Sequence, residues 1–245
     1  MNRFNIKNKD NIVDISTNDK GNATITIKEN KKLGEVLNEM PCGIINKNTT
    51  GIGATTLELN SHRNSIIVLP TKVLAYNKHT IFEENFYVGS EIGKLPSIGT
   101  DHINQYLSWD INPRKFLVVA DSLPKLISTL FSKKINVYRD YFFMVDEVDI
   151  IQSDVTYRPA LENVIDYYFK FNPEKRCLVS ATIRDFLHPE LQKEPTVNIK
   201  YESNEARTIN AYYTKNIHVS IKKYIENIVK NSNSKILIAY NSVMY

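Results

Sequence analysis

Disulfide chemistry has little to work with in this chain of 245 residues, which carries two cysteines, Cys42 and Cys177, each beside an apolar stretch. That excludes a small disulfide-stapled scaffold and reads as two buried free thiols in a reducing compartment. The five histidines, His62, His79, His102, His188 and His218, show no paired metal-ligand spacing, and no cysteine cluster joins them, so a zinc-ribbon or zinc-finger reading fails. No apolar run approaches the roughly 20 residues that cross a bilayer, and the opening MNRFNIKNKDN lacks the apolar centre of a secretory signal. The expectation is a cytoplasmic protein with no membrane partner. Neither sign of charge dominates: 31 basic and 27 acidic residues leave +4, which permits a polyanionic partner without demanding one. With 42% hydrophobic and 24% charged residues the composition is that of a globular protein, long enough for one large α/β core or for one core and part of another.

What is present is sharpest between Tyr141 and Asp149, YFFMVDEVD, an apolar run that ends in three carboxylates. A buried strand that delivers Asp146 and Glu147 to its carboxyl end places a metal-holding acid beside a water-orienting acid, as phosphoryl transfer from a bound nucleotide requires. Upstream, Gly43 to Thr56 reads GIINKNTTGIGATT. Here a short apolar strand runs into Thr50, Gly51, Ile52, Gly53, Ala54, Thr55 and Thr56, then into a helical segment with Leu57 and Leu59. Glycines at 51 and 53 allow a tight turn with inward N–H groups, a cradle for phosphate. Thr55 stands where a hydroxyl ligates Mg²⁺ and, with Asp146, would complete a metal site of hydroxyl, carboxylate, phosphate and water. Ala54 is the departure: the usual G-K-[ST] ending puts a phosphate-neutralising lysine there, and this chain has a methyl group. Lys47, just before the loop, is either a substitute cation reaching across or a solvated surface residue. The whole reading requires the glycine turn and the acid pair to meet across neighbouring strand ends.

Around these two segments, Ser65–Thr71 (SIIVLPT), Lys115–Ser122 (KFLVVADS) and Arg176–Ile183 (RCLVSATI) are further apolar strands ending in small or polar residues. That repeated layout is an open, mostly parallel α/β sheet with ligands at its carboxyl edge. In this order the segments resemble a superfamily 2 DExD/H-box helicase or translocase. Motif I falls at Thr50–Thr55 in degenerate form, motif Ia at Pro70-Thr71-Lys72, motif II at Asp146-Glu147-Val148-Asp149 and motif III at Ser180-Ala181-Thr182. The resemblance implies a RecA-like first motor domain of the P-loop NTPase type, with helices on both faces of the sheet, which binds ATP and Mg²⁺ and hydrolyses ATP. It implies that Asp146 holds the metal, Glu147 polarises water, and Ser180 and Thr182 link nucleotide state to the nucleic-acid surface. Asp149 is implied to contact motif III or the second core domain. Pro70, Thr71 and Lys72 are implied to touch the phosphates of one DNA or RNA strand, which positions the strand without reading bases. No glutamine precedes Gln105, so the adenine-reading motif of the narrower DEAD-box group is missing.

The remaining expectations concern organisation. Residues 1–40 read as an N-terminal extension with one half-exposed strand at Ala23–Glu29 and a short helix at Lys32–Glu39. Residues 41–200 read as the ATP-binding domain, with helices near Lys72–His79, Thr100–Ser108, Ser122–Phe131 and Arg158–Phe171, a strand near Phe86–Ile92, and a loop at Gly93–Gly99. The aromatic DYYFKF at Asp166–Phe171 fits a packed core better than a base-stacking platform. Glu190–Ala206 is charged and linker-like. Residues 201–245 then read as the start of a second RecA-like domain, with a strand at Thr208–Tyr213, a helix at Ile217–Asn231, an apolar strand at Lys235–Tyr240 and motif IV near Ile238–Ser242. The rest of that domain, with its arginine finger, would lie outside this chain, leaving the fragment weak or inactive as an ATP hydrolase. The alternative is a catalytically silent nucleotide- or nucleic-acid-binding scaffold, which Ala54 supports and the Asp146–Glu147 pair opposes.

Overall fold

Apolar runs bounded by turns build one nine-stranded sheet among the described residues of this computed structural model, which are 4–82, 84–150, 160–183, 186, 188–202 and 213–231. The strands are β1 (Ile12–Thr17), β2 (Ala23–Ile27), β3 (Gly43–Asn46), β4 (Ser65–Leu69), β5 (Phe86–Val88), β6 (Lys115–Val119), β7 (Phe142–Asp146), β8 (Arg176–Ser180) and β9 (Thr196–Tyr201). Their spatial order is β1-β2-β9-β3-β8-β7-β4-β6-β5. Every neighbouring pair is parallel except the β1–β2 hairpin. Strands β4, β6, β7 and β8 are buried at every position, as expected of a parallel sheet covered by crossover helices.

The helices are α1 (Ala54–Leu59), α2 (Lys72–Ile81), α3 (Thr100–Ser108), α4 (Leu123–Ser132), α5 (Val137–Asp140), α6 (Ala160–Lys170) and α7 (Ile217–Asn231). Helix α2 is capped by Thr71, whose hydroxyl accepts from Leu74 N at 3.2 Å. Helix α4 opens with proline in its first turn and buries Leu123, Leu126, Ile127 and Leu130. In α6 the aromatic segment packs inward: Tyr168 and the following Phe171 are buried, Phe171 stacking on Phe143 of β7 at 4.5 Å. This is the core role that helical spacing implies.

Three local expectations give way to the structure. Residues 32–39 hold a single 3₁₀ turn, Leu33–Glu35, and the chain there runs against the glycine turn through Leu33 N to Ile52 O at 3.0 Å. The linker-like stretch after Glu190 contains β9, because Val197 and Ile199 alternate with polar residues and bury completely between β2 and β3. The strand expected at Phe86–Ile92 ends at Val88, before the Gly89 turn. The expected helix start at 158, the strands at 208–212 and 235–240 and the motif IV segment lie outside the described residues.

The chain divides into two compact units, residues 1–204 and 205–245. In the first, the N-terminal hairpin joins the main sheet, since β2 pairs in parallel with β9 along five residues. In the second, α7 is described, with no buried side chain of its own. Among the described residues no helix is long and apolar enough to cross a membrane.

At the amino edge of the sheet, Glu58 is buried beneath Arg63, Ser61 and Ser65. Lys115 closes this cluster, donating to Glu58 O at 2.7 Å, Ser61 Oγ at 2.7 Å and Arg63 O at 2.6 Å. The opposite, carboxyl edge carries the motif residues.

Candidate functional site

Strand β7 carries its apolar side chains into the sheet and stops at Asp146, which is 3% exposed at the carboxyl edge. Next to it Glu147 adopts φ +53, left-handed backbone that a residue of this type holds only when its surroundings impose it. Two observations account for that conformation: Glu147 N donates to Asp146 Oδ1 at 3.1 Å, and Glu147 Oε1 accepts from Lys47 Nζ at 2.7 Å. The turn thereby projects both carboxylates toward one ammonium.

Lys47 lies at the end of β3 and is 5% exposed rather than solvated. Its Nζ reaches Asp146 Oδ1 at 3.3 Å as well as Glu147. Burial alone would depress the ammonium, but the two carboxylates outweigh it and hold its pKa above the ordinary lysine value. Strands β3 and β7 are not neighbours: β8 runs between them. The gap is bridged because the chain leaving β3 passes over the end of β8, with Lys47 N donating to Ser180 O at 2.9 Å.

From Lys47 the loop turns back through Asn48 at φ +50, Gly51 at φ +71 and Gly53 at φ +95. A Cβ at Gly51 or Gly53 would meet no close neighbour, so it is the backbone angle that requires glycine at these positions. Thr50 and Gly51 are exposed, whereas Ile52 and Ala54 are buried and anchor the loop to the core. The first turn of α1 then places Thr55 Oγ1 2.5 Å from Asp146 Oδ2. Thr56 sits one residue further along α1, half-buried. Lys47, Thr55, Asp146 and Glu147 therefore converge within hydrogen-bonding reach, and the methyl of Ala54 leaves the lysine from the loop's beginning as their cation.

A second cluster joins the ends of β7 and β8. Asp149 accepts from Ser180 Oγ at 2.6 Å and from Thr182 Oγ1 at 2.7 Å, while Thr182 N donates to Ser180 Oγ at 3.1 Å. Burial would raise the Asp149 carboxyl, yet the two hydroxyls together with the backbone N–H groups of Asp149 and Ile150 outweigh it and keep its pKa below the ordinary aspartate value. Pro70, Thr71 and Lys72 follow β4, the strand beside β7, on the same edge. Thr71 and Lys72 are exposed; the Thr71 hydroxyl serves the α2 cap, and Lys72 Nζ donates to Glu91 O at 3.3 Å.

Contacts from outside the motifs also reach the glycine turn. Asn48 Nδ2 donates to Ile199 O of β9 at 3.0 Å, and Lys32 Nζ donates to Gly51 O at 2.7 Å. Sequence spacing holds no signal for either, since the partners are 151 and 19 residues apart. Among the described residues no three His, Cys, Asp or Glu side chains gather as a metal set. A cation here would depend on the Thr55 hydroxyl and Asp146 together with oxygens from a ligand.

The fold has a solved counterpart. The chain is similar in structure to "Crystal Structure of DUF1998 helicase MrfA", with a TM-score of 0.54 and 16% sequence identity over 82% of this chain and 34% of that one. The likeness supports a helicase-like α/β fold consistent with a RecA-like domain. This chain spans about a third of the length of that helicase. No protein family and no curated protein matches the sequence.

Proposed function

We propose that this chain contains the ATP-binding motor core of a superfamily 2 nucleic-acid helicase or translocase, with the phosphate-loop cation moved from the end of the loop to its start. The observation that carries the reading is the meeting of Lys47, Thr55, Asp146 and Glu147 at the carboxyl edge. The donor set fits a magnesium–nucleotide pair, because the Thr55 hydroxyl and Asp146 carboxylate are hard oxygen ligands beside a glycine turn with φ above zero at two positions. When bound, such a pair supplies the phosphoryl group and a cation that neutralises charge in the transition state.

The chain's own residues then divide the work. Thr50, Gly51, Ile52, Gly53, Ala54, Thr55 and Thr56 form the phosphate cradle, and Lys47 moves its charge from the two acids to phosphate oxygens. Thr55 and Asp146 hold the metal. Glu147 orients water for attack, and Asp149 with Ser180 and Thr182 passes the state of the site to the strand-binding edge, where Pro70, Thr71 and Lys72 meet a DNA or RNA backbone. Residues 41–200 serve as the motor domain, residues 1–40 as an extension that supports it, and residues 201–245 as the opening of a second RecA-like domain.

ATP turnover with and without single-stranded DNA or RNA tests this reading in the longest natural form of the protein. Stimulated turnover is expected, and Glu147→Gln should abolish it while preserving nucleotide affinity. A protein that binds ATP yet shows no turnover with either polymer would instead support a silent scaffold, the reading that Ala54 favours.

A further inference from the structure

The N-terminal strap, residues 31–36, touches the glycine turn from outside, and both contacts fall on carbonyl oxygens. Lys32 Nζ donates to Gly51 O at 2.7 Å, and Leu33 N donates to Ile52 O at 3.0 Å. A trans peptide is planar, with its C=O and N–H pointing in opposite directions. The carbonyl of Gly51 shares its plane with the N–H of Ile52, and the carbonyl of Ile52 shares its plane with the N–H of Gly53. Holding these two carbonyls against the strap therefore turns the N–H groups of Ile52 and Gly53 away from it. Among the described residues, neither N–H donates to another backbone group.

The strap itself is braced. Lys32 N donates to Glu35 Oε2 at 2.8 Å, Lys31 pairs with Glu35 at 3.0 Å, and Lys31 O accepts from Tyr201 Oη of β9 at 2.9 Å. Leu33 and Val36 are fully buried. The turn is held on one side by the buried Ile52 and Ala54, while Gly51 and Gly53 sit in unhindered left-handed conformations and Thr50 and Gly51 are exposed, so the peptide planes between them depend on the strap for their orientation.

We propose that Lys32 is a positioning residue for phosphate binding: its ammonium, acting with the Leu33 amide, fixes two peptide planes of the turn so that the Ile52 and Gly53 N–H groups are preset to receive an anionic phosphoryl oxygen. Preset donors bind more tightly because ordering is not charged against the ligand. Lys32 acts through the backbone and touches no phosphate, unlike Lys47. The ligand class, a nucleoside triphosphate, rests on the function proposed above; the positioning itself does not.

Two measurements on the full chain test this, ¹⁵N relaxation without ligand and equilibrium binding of ATP with Mg²⁺. In the unaltered protein the Ile52 and Gly53 amides should show order parameters of about 0.85, falling below about 0.6 in Lys32→Met. The ATP Kd should rise about tenfold in Lys32→Met, and Lys32→Arg should recover both values, since a guanidinium can also donate to the carbonyl. Unchanged order parameters in Lys32→Met would overturn the inference, as would loosened amides without loss of affinity. Loosened amides in a protein that binds no ATP even when unaltered would uphold the positioning and remove the nucleotide assignment.

Discussion

One buried ammonium decides how the site is wired. Lys47 faces Asp146 at 3.3 Å and Glu147 at 2.7 Å, while position 54 offers a methyl group. If the cation has been relocated rather than lost, Lys47→Met should weaken ATP binding by more than about tenfold, and Ala54→Lys in the same chain should recover most of it. Titration calorimetry reads both; a double variant no better than Lys47→Met would mean that the loop end cannot host the charge. Ala54 and the carboxylates were legible as residues in the sequence. The reach of Lys47 was one of two readings the sequence left open, because what decides it is the loop crossing the end of β8, a strand far along the chain. A second lysine supplies a pH test. Burial pulls Lys115 down to about 8, with Glu58 opposing and Arg63 reinforcing the effect, whereas an unfolded lysine keeps its proton to about 10.5. Between those values the unfolded state binds more protons at this position, so Lys115 contributes a rise of stability with pH of up to about 1.4 kcal/mol per unit, opposed by the buried Cys177 thiol once unfolded thiols ionise at about 8.5. Tyr141, raised to about 12 by burial, reverses the trend once unfolded tyrosines ionise near 10. The stability difference between the unaltered chain and Lys115→Met, read by denaturant unfolding, should therefore grow in favour of the unaltered chain from pH 8 to 10.

Among the elements, the two strands of the N-terminal hairpin carry unequal weight. In β2, Ile25 and Ile27 are fully buried against β9, whereas β1 is an edge strand with Val13 and Ile15 exposed. Ile25→Ala should cost about 2–5 kcal/mol and Ile15→Ala less than about 0.5 kcal/mol, measured as shifts in the denaturant midpoint. Equal losses would contradict the placement of β2 within the main sheet. The five-residue apolar strands β4, β6, β7 and β8 announced themselves, since each is buried on both faces and reads as a continuous run ending in polar residues. Strand β9 hid because only Val197 and Ile199 face inward and charged residues flank them. Lys32–Glu39 looked helical, but Lys7 N and Leu33 N bond across to Val36 O and Ile52 O, so this segment satisfies its backbone by long-range contacts.

For the whole molecule, the order of nine strands brings segments about 90 residues apart to one edge, and the motif order in the sequence anticipated that edge. It did not anticipate that β8 separates the loop strand from the acid strand, a matter of sheet topology that linear spacing does not encode. If the glycine turn and the acid pair form one magnesium–nucleotide site, calorimetric titration of ATP with Mg²⁺, repeated with EDTA, should read it out. Binding should be saturable, weaken at least about tenfold without the metal, and lose that metal dependence in Thr55→Val and Asp146→Asn. An absence of binding, or binding indifferent to Mg²⁺ in the unaltered protein, would mean that these residues form no such site.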